Sequence, residues 1–154
     1  MGSGDDNTSI TNKFNYSTET ISVGPNLTRG EGDWAGSGNV TNAFMSGGDH
    51  SSYMKYTYST DTGSATNNTL SRSRRWPKAA GNPSAGYFVG GDSPAPTYTT
   101  MEKLNFSTDT GSHIPGGDLS TGRRQFFGSS PRMNGLGAST SPGISPSLSL
   151  PKSM

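Results

Sequence analysis

The phrase Lys13-Phe14-Asn15-Tyr16-Ser17-Thr18-Glu19-Thr20 returns as KYTYSTDT at 55–62 and as KLNFSTDT at 103–110. Each copy is lysine, apolar, polar, aromatic, then Ser-Thr-acid-Thr. Alternation puts Phe14 with Tyr16, Tyr56 with Tyr58, and Leu104 with Phe106 on one face of a strand. The Ser-Thr-acid-Thr run is turn chemistry, because short oxygen-bearing side chains bond the backbone of a reversing chain. The octapeptide therefore predicts a half-buried strand closing in a tight turn, at 13–20, 55–62 and 103–110. Tyr58 and Phe106 are both assigned to its buried face.

Other features keep the same phase. Asn26-Leu27-Thr28-Arg29 corresponds to Thr69-Leu70-Ser71-Arg72 and to Asp118-Leu119-Ser120-Thr121, and a large aromatic follows each, at Trp34, Trp76 and Phe126. Gly-rich stretches at 35–39 and 79–82 read as turns. The runs Ala43–Asp49 and Gly86–Asp92 each end in Gly-Gly-Asp and read as strands buried on both faces. Lys13 and Lys55 lie 42 residues apart, and Lys55 and Lys103 lie 48 apart. The longer interval holds an insertion, Ser93-Pro94-Ala95-Pro96-Thr97, expected as a loop on one face of the array.

The 154 residues suffice for one domain. Only 27% are apolar, while Gly (22), Pro (10), Ser (25) and Thr (18) dominate. A net charge of +1 and repeat-phased aromatics separate the chain from a disordered polymer, and imply short strands around a thin core. With no cysteine, disulfides and thiolate metal sites are excluded. No apolar run approaches the ~20 residues that span a bilayer, so membrane insertion is not expected. The acidic, polar start MGSGDDNTS is the reverse of a signal peptide.

A period of roughly 40–50 residues with several strands per unit suits a propeller blade. AGYFVGGD (85–92), TTMEKLNFSTDT (99–110) and GGDLSTGRRQ (116–125) resemble, in order, units of a divergent kelch-like repeat of tailed, marine-type bacteriophages. The resemblance runs from about Lys13 to Phe127. It implies an all-β chain of about three incomplete kelch-like β-propeller blades over 13–138, between a polar arm (1–12) and a Pro/Ser-rich extended tail (139–154). Propellers need ~4–8 blades, so closure or stacking by oligomerisation, or a longer chain, is expected. The resemblance also implies a non-enzymatic virion protein of a tail fibre, spike, baseplate or capsid decoration. Its expected partners are its own copies or other virion proteins, with a host-surface glycan as ligand. The alternative is an extracellular or cell-surface adhesive, filament-forming bacterial β-repeat protein.

Candidate chemistry is sparse. His50 and His113 occupy different phases without partners at metal-ligand spacing, and no nucleophile elbow or phosphate-binding loop occurs. An enzyme is not expected, and no cofactor is. Asp49, Asp92, Glu19, Asp61 and Asp109 recur in turns, but one carboxylate per site falls short of the six to eight oxygens that calcium takes. Arg72, Arg74, Arg75, Arg123 and Arg124 form a candidate basic patch beside Trp76 and Phe126. Near-neutral net charge disfavours nucleic acid, and pairing of the arginines with turn carboxylates is the expectation. Ser93, Pro94, Pro96, Thr97 and Tyr98 form a candidate recognition loop, stiffened by proline.

Overall fold

In the computed structural model, which describes residues 9–30, 32–93, 96–126 and 128, each octapeptide supplies the end of one strand and the tight turn into the next, closing a hairpin. β1 (Asn12–Asn15) pairs antiparallel with β2 (Thr20–Val23), β5 (His50–Thr57) with β6 (Thr62–Arg74), and β9 (Met101–Asn105) with β10 (Thr110–His113). The closing pairs are Asn15↔Thr20, Thr57↔Thr62 and Asn105↔Thr110, so the aromatic fourth residue opens a four-residue turn. Glu19, Asp61 and Asp109 take left-handed backbones there, with φ of 54°, 57° and 55°. Asp is among the residues that tolerate this region, where a β-branched residue would be strained. Asn15 and Asn105 accept hydrogen bonds from the N–H and hydroxyl of Ser17 and Ser107. Hydroxyl pairs Thr18/Thr20, Thr60/Thr62 and Thr108/Thr110 close the turns at 2.7–2.8 Å.

Ahead of the second and third hairpins stand β3 (Trp34–Gly38) with β4 (Asn42–Gly47), and β7 (Lys78–Asn82) with β8 (Ala85–Val89). The result is all-β: two four-stranded antiparallel sheets, β3-β4-β5-β6 and β7-β8-β9-β10, plus the two-stranded β1-β2. None of the three closes on itself, and among the described residues the only helical element is a 3₁₀ turn at Pro115–Gly117. The stretches expected as Gly-rich turns are strands β3 and β7. Low strand propensity is overridden there by ladder pairing and by the need for thin backbone at a close contact. A Cβ on Gly86 would lie 2.9 Å from the Ser37 side chain of the facing sheet. The true turns are shorter, closed by Asn39 and Asn82, whose side-chain oxygens accept from the N–H groups two and three residues on. At the end of β4, Gly47 must be glycine: its φ is 137°, and a Cβ would collide with the Asp33 carbonyl oxygen.

The two larger sheets stack face to face, β3 against β7 and β8, and β6 against β10. Ala35, Phe44, Tyr53 and Leu70 from one side meet Phe88, Leu104 and Phe106 from the other. The Phe44 and Phe106 rings stack with centroids 5.1 Å apart and planes within 10°, and Tyr53 lies 5.4 Å from Phe88. In β4 and β8 one face is buried fully (Phe44, Phe88), whereas Met45 and Tyr87 on the opposite faces are half-buried, which corrects the two-faced burial expected of them.

Burial within the octapeptide follows the neighbouring sheet, not the phrase. Phe106 is 6% exposed beneath Phe44, Tyr58 is 41% exposed, and Tyr16 is 88% exposed. Tyr58, expected on the buried face, instead lines two open hollows, one with Gly36, Ser37, Ala43 and Met45 and one with Lys13, Phe14 and Tyr16 of the first hairpin. Phe14, Ile21 and Val23 of the first hairpin are similarly exposed. Ser9–Asn12 of the expected N-terminal arm are part of the structure: Thr11 is buried, with its hydroxyl on the Pro25 carbonyl at 2.7 Å. The expected tail, 139–154, lies outside the described residues.

Equivalent substitutions in two copies should therefore differ. Phe106→Asp, which buries a charge and opens a cavity, should cost about 3 kcal/mol or more. Tyr58→Asp should cost less than about 1 kcal/mol. Urea unfolding followed by far-UV circular dichroism measures both, and equal losses would contradict position-dependent burial.

Candidate functional site: an arginine–aromatic cluster and two open faces

The last residue of β6, Arg74, passes beneath the neighbouring sheet to Glu102 of β9. Its Nη2 is 2.6 Å from Glu102 Oε1, and both side chains are at most 1% exposed. Nη1 donates to the Gly90 carbonyl at 2.9 Å, and Nη2 also donates to Thr100 Oγ1 at 3.1 Å. Glu102 additionally accepts from the N–H and hydroxyl of Ser71 at 2.8 and 2.7 Å. Burial lowers the guanidinium pKa, the adjacent carboxylate opposes that shift, and an arginine so paired stays cationic. Burial, and after it the charge of Glu102, raises the pKa of the Tyr53 hydroxyl nearby. Glu102 is absent from the residues that the sequence singles out. Its strand parity matches that of Leu104, so alternation alone places an acid on the core face, and a buried acid signals a buried cation.

Above this pair the two stretches singled out in the sequence come together. Asp92 is 2% exposed. Its carboxylate lies 2.6 Å from Arg124 Nη1 and 3.7 Å from Arg75 Nε. Both guanidiniums also stand over Trp76, each 5.1 Å from a ring centroid. Arg72 lies 4.7 Å over Tyr98. Tyr98 does not project. Its N–H reaches the Gly91 carbonyl at 2.7 Å and its hydroxyl the Ser93 carbonyl at 2.8 Å, while the Ser93 hydroxyl bonds Asp49 of the preceding Gly-Gly-Asp turn. Arg123 contributes backbone: its carbonyl accepts from Gly91 at 2.8 Å and its N–H donates to Tyr98 at 3.2 Å. Pro96 and Thr97 are exposed, and Pro94 lies outside the described residues.

The cluster's chemistry is largely inward. Arg74 is neutralised by Glu102, and Arg75 and Arg124 converge on Asp92. Arg72, Arg123 and the outer half of Arg124 reach solvent. Such a surface can hold an anion weakly at its rim, but its arginines chiefly fix the loop, Trp76 and the next sheet in place.

A second contact repeats from unit to unit. Lys13 Nζ lies 2.8 Å from Asp61, and Lys55 Nζ lies 2.6 Å from Asp109. The first residue of one octapeptide thus grips the seventh of the next. Lys55 also stands 5.5 Å over the Phe44 ring, which stacks on Phe106 of that next unit. The Lys13 ammonium, and after it the Tyr56 hydroxyl that donates to the same carboxylate, hold Asp61 below its ordinary pKa. Burial first, then the hydrogen bond to Asp61, pushes the Tyr56 hydroxyl up to about 12. The Asp61 and Asp109 turn carboxylates are thus occupied by lysines. Among the described residues no three His, Asp or Glu side chains gather into a group able to hold a metal ion. His113 sits 3.0 Å from Asp118, whose pKa is lowered chiefly by the Met101 N–H and secondarily by that histidine.

This contact leaves two faces open among the described residues. Register places Ala80, Tyr87 and Lys103 in one row across the outward face of the β7–β10 sheet, beside Val89 and Met101 in the next. All five are half-buried. At the other end the β1–β2 hairpin shows Phe14, Tyr16, Ile21 and Glu19 to solvent.

Comparison with protein-family models and with curated proteins found no match to the chain. Among the described residues no helix is long and apolar enough to cross a membrane.

The buried pair predicts a sharp contrast. Glu102→Gln strands the Arg74 charge and should cost about 3–5 kcal/mol in urea unfolding. Arg124→Ala, at the exposed rim, should cost no more than about 1 kcal/mol. Similar losses for the two would show that Arg74–Glu102 does not tie the sheets together.

Proposed function

We propose that the chain is a non-enzymatic structural protein of a tailed-phage virion, a fibre, spike, baseplate or capsid-decoration component. It works by stacking kelch-like β-propeller blades. The observation that carries the assembly reading is the unit-to-unit contact. Lysine-to-acid pairing and face-to-face packing join one antiparallel unit to the next, and an open apolar face remains at each end of the described stack. The two four-stranded meanders have the strand count of propeller blades, and their stacking is compatible with blades around an axis. The virion context is supported by the phage-like order of AGYFVGGD, TTMEKLNFSTDT and GGDLSTGRRQ.

Gradient-purified particles of a phage encoding the chain, digested and analysed by quantitative mass spectrometry, test this reading. The expected result is a fixed, multi-copy ratio of the chain to the major capsid protein. A chain recovered only from the soluble fraction of infected cells would overturn it.

A further inference from the structure

The repeat itself specifies what fits the open ends. Inside the chain, three features of one unit meet three features of the next. Position one of the octapeptide (Lys55) meets position seven (Asp109), the β4 aromatic (Phe44) meets position four (Phe106), and Tyr53 meets Gly111. A Cβ on Gly111 would lie 2.8 Å from the Tyr53 hydroxyl, so bulk on one side is matched by its absence on the other.

The outward face of the last described sheet offers the first half of each contact. Lys103 stands where Lys55 does. Tyr87 pairs with Lys103 in the ladder as Phe44 pairs with Lys55. Met101 lies two residues before Lys103, as Tyr53 lies two before Lys55. The β1–β2 hairpin offers the second half: Glu19 at position seven, Tyr16 at position four, and Ile21 in the place of Gly111. The exchange of bulk runs in the right direction, because the smaller Met101 replaces Tyr53 where the larger Ile21 replaces Gly111. The charges are opposite. Among the described residues neither Lys103 nor Glu19 has an ion pair, although every intervening lysine and acid of the series does.

We infer that the face carrying Tyr87, Met101 and Lys103 binds the β1–β2 hairpin of a second copy of this chain, through Tyr16, Ile21 and Glu19. The contact is head-to-tail, so it propagates into a ring or a filament instead of ending at a two-fold dimer. Its main anchors are aromatic and aliphatic, Tyr16 on Tyr87 and Ile21 on Met101. Lys103–Glu19 sets the register, since paired charges contribute specificity more than affinity.

The inference rests on the assembly role proposed above and is tested apart from it, with the full chain and its charge variants in sedimentation velocity over a concentration series. The wild-type chain should associate. Lys103→Glu or Glu19→Lys alone, which places like charges opposite each other, should weaken association about tenfold or more. The double variant restores opposite charges at every junction and should recover most of it. Far-UV circular dichroism of each variant should match wild type, both positions lying outside the core. A chain that stays monomeric at all concentrations, its own residues beyond 128 covering the face, would overturn the inference. So would association indifferent to both single variants, or a double variant no better than either. A monomeric chain still found in particles overturns only this contact, whereas a self-associating chain absent from particles overturns only the virion role.

Discussion

Arg74 has no route to water, and that fact fixes how the two larger sheets meet. A guanidinium at the end of β6, wholly enclosed, is tolerable only while Glu102 of the next sheet stands beside it and Gly90 and Thr100 accept from its two Nη groups. A slip of β9 by one residue would turn Glu102 to the outer face and leave the charge alone. The stacking register follows from this constraint, and with it the alignment that brings Lys55 to Asp109 and Phe44 to Phe106. The apolar core between the two sheets is small, seven buried residues among those described, and carries little directional information of its own. Polar pairs therefore supply the specificity that a larger core would supply by shape.

The all-β class, the period and the turn chemistry were legible because they depend on local signals. Octapeptide alternation, Gly-Gly pairs and Ser-Thr-acid-Thr turns are set within a few residues. Burial was not legible at the same level. Tyr16, Tyr58 and Phe106 occupy one phase of one phrase, yet their exposures span almost the whole range, because cover comes from a separate sheet distant in sequence. The Gly-rich strands β3 and β7 were misread for a related reason. Their small residues report a close approach of another backbone, which resembles a turn signal when seen alone.

The candidate site was legible only in its parts. Arg72–Arg75, Arg123–Arg124 and Tyr98 were each visible, and pairing of arginines with carboxylates was the expectation. That Asp92 would be the shared partner of Arg75 and Arg124 required the bridge between Arg75 and Asp92 and the return of the chain at Arg123. Glu102 and Lys103, adjacent in sequence, point to opposite faces of β9 and do opposite things: one locks the unit to its predecessor, the other faces outward. That division of labour within one strand leaves Lys103 free to face the second copy proposed above.

In the proposed assembly the junction between copies repeats the junction between units, and the absence of cysteine permits a direct measurement of it. A chain carrying only Glu19→Cys and a chain carrying only Lys103→Cys would be mixed and treated with a short bis-maleimide. The mixture should yield a cross-linked product that neither chain yields alone. Products confined to pairs of identical variants, or no product at concentrations where the chain associates, would contradict it.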